Sequence, residues 1–218
     1  RREQNKKLGS AKEKVRKSLT RPAKYFVDRG YSEEVLEAFD VGLSRNPKGA
    51  MRQRIIVPVY DDDGEIMVGY LGRWPSEDYS KYKQPKWRFS KKFYSGAWLY
   101  GYHLAKSHIE EAGVVVLVEG QSDVWRLWEA GIKNSVGMFG CSITDTQLRI
   151  LETSGAKKIA LISDNDKAGQ KARISIRKKC VGKLAVADIM IESKDVGEMS
   201  AQEIQAKIKP QIERLYND

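Results

Sequence analysis

Val114-Val115-Val116-Leu117-Val118 is an unbroken apolar run, bounded by Gly113 on one side and Glu119-Gly120 on the other. A strand with one wet face alternates apolar and polar residues. A run without alternation suits a strand covered on both faces, as in a parallel sheet flanked by helices. The residues that follow keep to that grammar. Helices are expected over Ser122–Ala130, Thr144–Glu152 (Thr144 as the N-cap), Ala168–Cys180 and Ala201–Tyr216. Strands are expected over Ser135–Met138, Ile159–Ile162 and Leu184–Ile191. Strand and helix alternate over ~100 residues, which predicts a parallel α/β unit.

The half before Gly113 reads differently. Ser32-Glu33-Glu34 opens a helix with a capping serine and acids in its first turn, and Val35, Leu36 and Phe39 share one face. Ile55, Ile56, Val57, Val59 and Tyr60 read as a strand. Asp61-Asp62-Asp63-Gly64 reads as a turn, and Ile66, Val68, Tyr70 and Leu71 as the returning strand of a hairpin. Residues 75–92 are irregular and rich in Lys, Tyr and Trp. Short strand-like pieces around Trp98 and Leu99 and a helix over Tyr102–Glu111 complete this half. The expected division is a basic segment 1–23, a mixed α+β subdomain 24–113, a parallel α/β domain 114–200 and a C-terminal helix 201–218.

Charge gives a direction. The chain carries 39 Lys plus Arg against 29 Asp plus Glu, a net +10. Up to Gly113 there are 23 basic and 15 acidic residues; the remainder has 16 and 14. A basic half joined to a near-neutral one suits a protein that holds a polyanion on one side. The opening stretch, with Arg1, Arg2, Lys6, Lys7, Lys12, Lys14, Arg16 and Lys17, suits a frayed linker, an exposed helix or an arm on phosphates. No apolar run approaches the ~18 residues that span a bilayer, and the first residues are charged, so a cytosolic protein is expected. The missing initiator methionine suggests a fragment of a longer protein. The two cysteines, Cys141 and Cys180, lie in no CxxC pair, and His103 and His108 add no zinc-ligand spacing. Both thiols are expected to be reduced and buried, and both histidines to sit on a helix surface without chemistry.

In an open parallel sheet, ligands bind beyond the carboxyl ends of the strands. The first buried strand ends in Glu119-Gly120 and the third in Asp164-Asn165-Asp166. Aspartates one residue apart in an extended segment point the same way. Three carboxylates at one sheet edge repel one another unless a cation sits between them, and hard oxygen ligands suit Mg²⁺ or Mn²⁺. A single acid at a strand end is ordinarily a turn former or helix cap, and Asp166 is placed to cap the helix near Ala168. Glu-Gly after one strand and Asp-x-Asp after another is a joint pattern for which turn chemistry has no need.

Val-Glu-Gly (118–120) with Asp123, followed by Ser-Asp-Asn-Asp-Lys-Ala-Gly (163–169), resembles the Toprim domain of bacterial primases, topoisomerases, nucleases and recombination proteins. The resemblance implies that Glu119, Asp164 and Asp166 carry Mg²⁺, with Asp123 in a supporting place. Asp195 in Ser-Lys-Asp-Val-Gly-Glu is the candidate for a further acid, although Val196 stands where the primase pattern has proline. The upstream half resembles the bacterial primase catalytic core in particular. The likeness is carried by Tyr25-Phe26-Val27-Asp28-Arg29-Gly30-Tyr31-Ser32, Arg54–Asp61, Gly69–Arg73, Pro85-Lys86-Trp87 and Leu99-Tyr100-Gly101. It departs at Ser95, where the family often has lysine; Lys91 and Lys92 lie nearby.

That likeness implies a DnaG-type core that makes short RNA primers on single-stranded DNA from ribonucleoside triphosphates. Arg54, Arg73, Lys86 and Lys167 would face template or nucleotide. A replicative helicase or a separate zinc-binding domain would be a partner, and a phage or mobile-element origin fits. A Toprim nuclease and a non-catalytic binding module are the alternatives. Lysines at 81, 83, 86, 91 and 92 with Arg88 alternate with Tyr79, Tyr82, Trp87, Phe89, Phe93 and Tyr94. Cations beside stackable rings are what a single-strand groove requires.

Overall fold

The computed structural model describes residues 1–216. The chain divides into two compact units, residues 1–94 and residues 95 onward. The first contains ten short elements: α1 (Arg2–Lys7), β1 (Ser10–Ala11), α2 (Lys12–Lys17), β2 (Leu19–Thr20), α3 (Lys24–Val27), α4 (Glu33–Ala38), β3 (Gly42–Ser44), β4 (Ile55–Tyr60), β5 (Ile66–Arg73) and β6 (Trp87–Phe89). Its sheet runs β1-β5-β4-β3-β2, with β6 also on β5, and every pairing is antiparallel.

The expected hairpin forms the centre. Ile55 faces Arg73 and Pro58 faces Tyr70, with a register shift between Val59 and Tyr60. The turn is closed by Asp61, whose Oδ1 accepts the N–H groups of Glu65 and Ile66 at 3.0 and 3.1 Å. Ser32 caps α4 as expected, its Oγ accepting the Val35 N–H. The basic opening stretch is neither frayed nor extended. Its cations are partly neutralised by the turn, Lys6 Nζ lying 3.0 Å from Asp61 and Arg2 pairing with Asp62. Asn5, buried on α1, donates to the Lys92 carbonyl at 2.8 Å. Sequence spacing could not reveal these links, because the partners lie about sixty residues apart or more.

The second unit contains α5 (Tyr102–Ala112), β7 (Val114–Val118), α6 (Gln121–Glu129), β8 (Ser135–Gly137), α7 (Asp145–Glu152), β9 (Lys158–Leu161), α8 (Lys167–Cys180), β10 (Ala185–Asp188), α9 (Ala201–Lys207) and α10 (Lys209–Glu213). Its sheet runs β10-β9-β7-β8, all parallel, which is the α/β arrangement that the apolar run predicts. All five residues of β7 are buried. Ile109, Leu117, Leu151, Leu161 and Ile176 meet in one core cluster, so α5, α7 and α8 share a hydrophobic interior with the sheet.

Four local expectations change. No strand forms at Trp98 and Leu99. A 3₁₀ turn covers Ser95–Ala97, and Tyr100 makes an isolated antiparallel bridge with Gly137. That bridge carries α5 into the second unit, so the units part at Tyr94 whereas the sequence pattern changes at Gly113. The single final helix is broken, because Pro210 has no N–H to donate to the turn before it, and α10 restarts there. Ile204, Ile208 and Ile212 nevertheless remain fully buried across the break. Cys180 is buried as expected, but Cys141 lies exposed in the loop after β8. Both histidines lie on α5, His108 edge-on to Trp128.

Asp40 is the polar anchor of the first unit. It is fully buried at a positive φ of 56°. It accepts from the Tyr60 hydroxyl at 2.9 Å and lies 2.9 Å from Arg16 and 3.1 Å from Arg21. Asp40→Ala is expected to cost about 2–4 kcal/mol, since it strands the buried Tyr60 hydroxyl and leaves Arg16 and Arg21 with Glu37 alone. Urea denaturation compared with the parent chain measures this; a change within error would mean that the cluster relaxes freely.

Candidate functional site

Five acids gather at the carboxyl edge of the parallel sheet, four brought there by a strand end or the loop after it and Asp123 by the first turn of α6. Glu119 follows β7 directly. Gly120 is the N-cap of α6, and Asp123, three residues on, reaches back so that its Oδ2 accepts the Gly120 N–H at 3.0 Å. Its other oxygen accepts the Gly197 N–H, also at 3.0 Å. One buried carboxylate thus ties the turn after Glu119 to the loop that bears Asp195. Asp164 follows the buried end of β9, and Glu119 Oε1 lies 3.5 Å from its backbone N–H. Asp166 does cap α8, its Oδ1 accepting from Gly169 at 2.8 Å. Asp195 caps a 3₁₀ turn over Val196–Glu198 in the same manner.

The electrostatics follow from crowding and burial. Burial, joined by the charges of Glu119, Asp195 and Asp166, pushes the Asp164 carboxyl up to about 6. Burial pushes Asp123 up to about 7 against the pull of its two backbone donors. Glu119 is raised by burial and by Asp166 and Asp195, while the Asp164 N–H opposes. No ion pair reaches any of these five acids among the described residues, and Lys194 is the cation whose charge acts on Asp164.

Among the described residues no group of three or more His, Cys, Asp or Glu side chains is arranged so that it could hold a metal ion by itself. Mg²⁺ keeps several waters and is held by one or two carboxylates plus substrate phosphates, rather than by a dedicated all-protein cage. Glu119 and Asp164, raised first by burial and then by neighbouring acids, offer hard oxygen donors of the kind that Mg²⁺ or Mn²⁺ takes.

The basic candidates divide. Lys86 and Lys167 are exposed. Arg54 and Arg73 are buried, and the expectation that they present charge to a polyanion does not match their placement. Arg54 donates to the carbonyls of Gly72 and Pro85 and to Gln84 Oε1, all at 3.0 Å. Arg73 donates to the carbonyls of Trp74 and Ser76, to the Tyr25 hydroxyl and to Glu77. Both guanidiniums hold the 74–86 segment in place. Burial and the neighbouring charges of Arg88 and Arg73 push the Arg54 pKa down. Of the aromatic residues in the alternating stretch, Tyr82, Phe89 and Tyr94 are exposed.

Gly169 closes the Ser-Asp-Asn-Asp-Lys-Ala-Gly motif, and its purpose is visible only in three dimensions. A Cβ there would lie 1.9 Å from the Asp164 carbonyl oxygen. The first turn of α8 therefore rests directly on the backbone of the Asp-x-Asp segment, which only glycine permits. Gly197 is similar in kind, since a Cβ would sit 3.2 Å from both Asp123 Oδ1 and Asp195 Oδ1. Gly169→Ala is expected to cost about 1–3 kcal/mol through overpacking and to displace Asp164. Thermal unfolding and divalent-cation titration of the variant check both effects; parental values in both would show that α8 can slide.

Known proteins resemble this chain in sequence and in fold. Residues 116–200 match a Toprim-like family model. The DNA primase of Helicobacter pylori (strain ATCC 700392 / 26695) is 34% identical over 179 residues, covering 68% of this chain and 31% of that protein. The DNA primase of Aquifex aeolicus is 35% identical over 148 residues, covering 64% and 28%. This chain thus spans about three tenths of the length of such relatives. Among solved structures, the Aquifex aeolicus primase with its zinc-binding and RNA polymerase domains superposes with a TM-score of 0.72 at 26% identity, over 94% of this chain and 59% of that one. A DnaG primase catalytic domain bound to single-stranded DNA gives 0.73 at 21% identity, over 88% and 70%. Residues 116–200 therefore form a Toprim-like domain, and the chain around it is related to bacterial DNA primases and has the fold of their catalytic core.

Proposed function

We propose that this chain is the catalytic core of a DNA primase, joining ribonucleoside triphosphates into short RNA primers on a single-stranded DNA template. The observation that carries the reading is the row of partly desolvated, mutually repelling carboxylates at the carboxyl edge of the parallel sheet. It occurs in a chain whose first unit is strongly basic, with 22 basic and 13 acidic residues up to Tyr94.

Glu119, Asp164 and Asp166 would hold a divalent cation, Mg²⁺ first and Mn²⁺ as a substitute, and Asp195 is assigned as a further ligand. When bound, the cation lowers the pKa of an attacking 3′-hydroxyl and neutralises a leaving pyrophosphate. Asp123 positions the site through Gly120 and Gly197. Lys86 and Lys167 are assigned to template or triphosphate. Arg54 and Arg73 are assigned to shaping the lysine-rich segment that would lie along the strand. A replicative helicase and a separate zinc-binding domain are the partners this reading calls for, and the bacterial cytoplasm is the compartment. Among the described residues no helix is long and apolar enough to cross a membrane.

Incubation of the chain with single-stranded DNA, labelled ribonucleotides and Mg²⁺ or Mn²⁺ is expected to give short labelled RNA. Glu119→Gln and Asp164→Asn should each lower the yield about a hundredfold or more. Cleaved template without new RNA would replace primase with nuclease. No product of either kind, even with a zinc-binding domain supplied, would leave a non-catalytic module.

The cation has a separate signature. The Asp164 pKa of about 6 in the folded chain lies above its ordinary value of 3.8. The folded state therefore keeps a proton that the unfolded chain has released, and the associated stability is lost as pH rises from near 4 through 6. A divalent cation takes the proton's place. Millimolar Mg²⁺ is expected to stabilise the chain by about 1–3 kcal/mol at pH 8 and by far less at pH 5, as read by thermal unfolding. Equal stabilisation at both pH values would contradict cation binding at these carboxylates.

A further inference from the structure

The second unit is nearly neutral, with 17 basic and 16 acidic residues, yet its charge is segregated. Helix α8 holds six of those basic residues and no acid. Outside α8, the same unit has 11 basic and 16 acidic residues. Three of the six are turned to neighbours. Arg177 pairs with Asp188 at 2.9 Å, Lys179 pairs with Asp145 at 2.9 Å, and Arg173 lies against the Met190 sulfur.

The other three, Lys167, Lys171 and Lys178, are exposed and have no ion pair or hydrogen bond among the described residues. With Ile174 they fall at steps of four, three and four residues, which is the spacing of one helix face. Ile174 is 70% exposed, so the stripe faces solvent. It starts one residue after Asp166, and Lys167 to Lys178 spans roughly 16 Å along the axis.

Lys178 lies in the last turn, where the helix dipole favours a cation, but folding gains nothing from the first two lysines. Lys167 and Lys171 are like charges at i and i+4, and both sit toward the positive end of the helix dipole, where cations are disfavoured. Some exposed helical lysines are offset by an acid four residues away, as in Lys17–Glu13, Lys24–Asp28 and Lys209–Glu213. Helix α8 has no acid to do this.

We propose that Lys167, Lys171 and Lys178 form a track for the phosphodiester backbone of single-stranded nucleic acid leading away from the carboxylate edge. The occupant is chosen by charge complementarity and by continuity with the Asp-x-Asp segment, where the polyanion reacts. Ile174 offers an apolar rest for sugar or base between the cations. The proposal rests on the primase reading for the reason a polyanion is present, but the two can fail separately.

The test uses the full chain and a labelled single-stranded DNA oligonucleotide, with binding followed by anisotropy across a salt series. A Lys171→Gln/Lys178→Gln double variant is compared with the parent and with Lys106→Gln, which removes an exposed charge on α5. Each lost phosphate contact on a single strand lowers the salt slope by about 0.7, so the double variant should lose about 1.4 and bind roughly ten- to thirtyfold more weakly near 0.1 M salt. Primer synthesis is assayed in parallel. A double variant that binds like the Lys106→Gln control, in a chain whose parent makes primers, overturns the track and leaves the primase reading intact; α8 would then serve another partner, such as an acidic protein surface. The reduced slope in a chain that makes no primer supports the track and sinks the primase reading. A parent chain that binds no single-stranded DNA overturns the track.

Discussion

Like charges crowd the carboxyl edge of the parallel sheet, and the backbone N–H donors around them keep that crowding in place. Asp123 accepts two such groups, Asp166 one and Asp195 one, each at 3.0 Å or less. The donors belong to Gly120, Gly197, Gly169 and Glu198, three of them glycines in turns where a side chain would intrude. The core beneath supplies the opposing rigidity. β7 is buried along its length, and α5, α7 and α8 pack into one cluster with the sheet. Burial first and like charge second raise the Asp164 and Glu119 carboxyls, and a bound cation would relieve both.

The first unit solves a different problem, that of holding a long lysine- and aromatic-rich segment with little regular structure. Arg54 and Arg73 do this by spending their donors on carbonyls and neighbouring side chains instead of on solvent. Arginine suits the task because its planar fork can serve several acceptors at once and keeps its charge when buried. Helix α1 is recruited in a related way, by the acids of the hairpin turn, and α2 by Asp40.

Where a feature depends on local pattern, the sequence makes it legible. The unbroken apolar run predicts the central parallel strand, the alternating residues around Asp61–Gly64 predict the hairpin, and Ser32 and Thr144 predict their caps. The joint pattern of Glu119 with Asp164 and Asp166 points to one sheet edge, and these residues do gather there. What could not be read depends on distant partners. Whether an arginine faces a ligand or the interior turns on the carbonyls that surround it, so Arg54 and Arg73 look alike in the sequence and in their motif. Cys141 resembles Cys180 until the loop after β8 leaves it in solvent. Gly169 is visible as a letter, but its need is set by the Asp164 backbone pressed against it. The break near Ile208 was within reach from Pro210, yet the isoleucines spaced four apart suggest continuity.

Strand β5 pairs with β4, β1 and β6, and its last residue, Arg73, sits opposite Ile55. Side chains on a strand change face with every residue, so a one-residue slip of this hairpin would turn Arg73 to the opposite side of the sheet. The length of the Asp61–Gly64 turn is thereby coupled to the shape of a loop at the far end of the same two strands. Insertions at that turn, although it is on the surface, should be poorly tolerated during divergence, because they would be felt as a misfolded lysine-rich segment rather than as a longer tip.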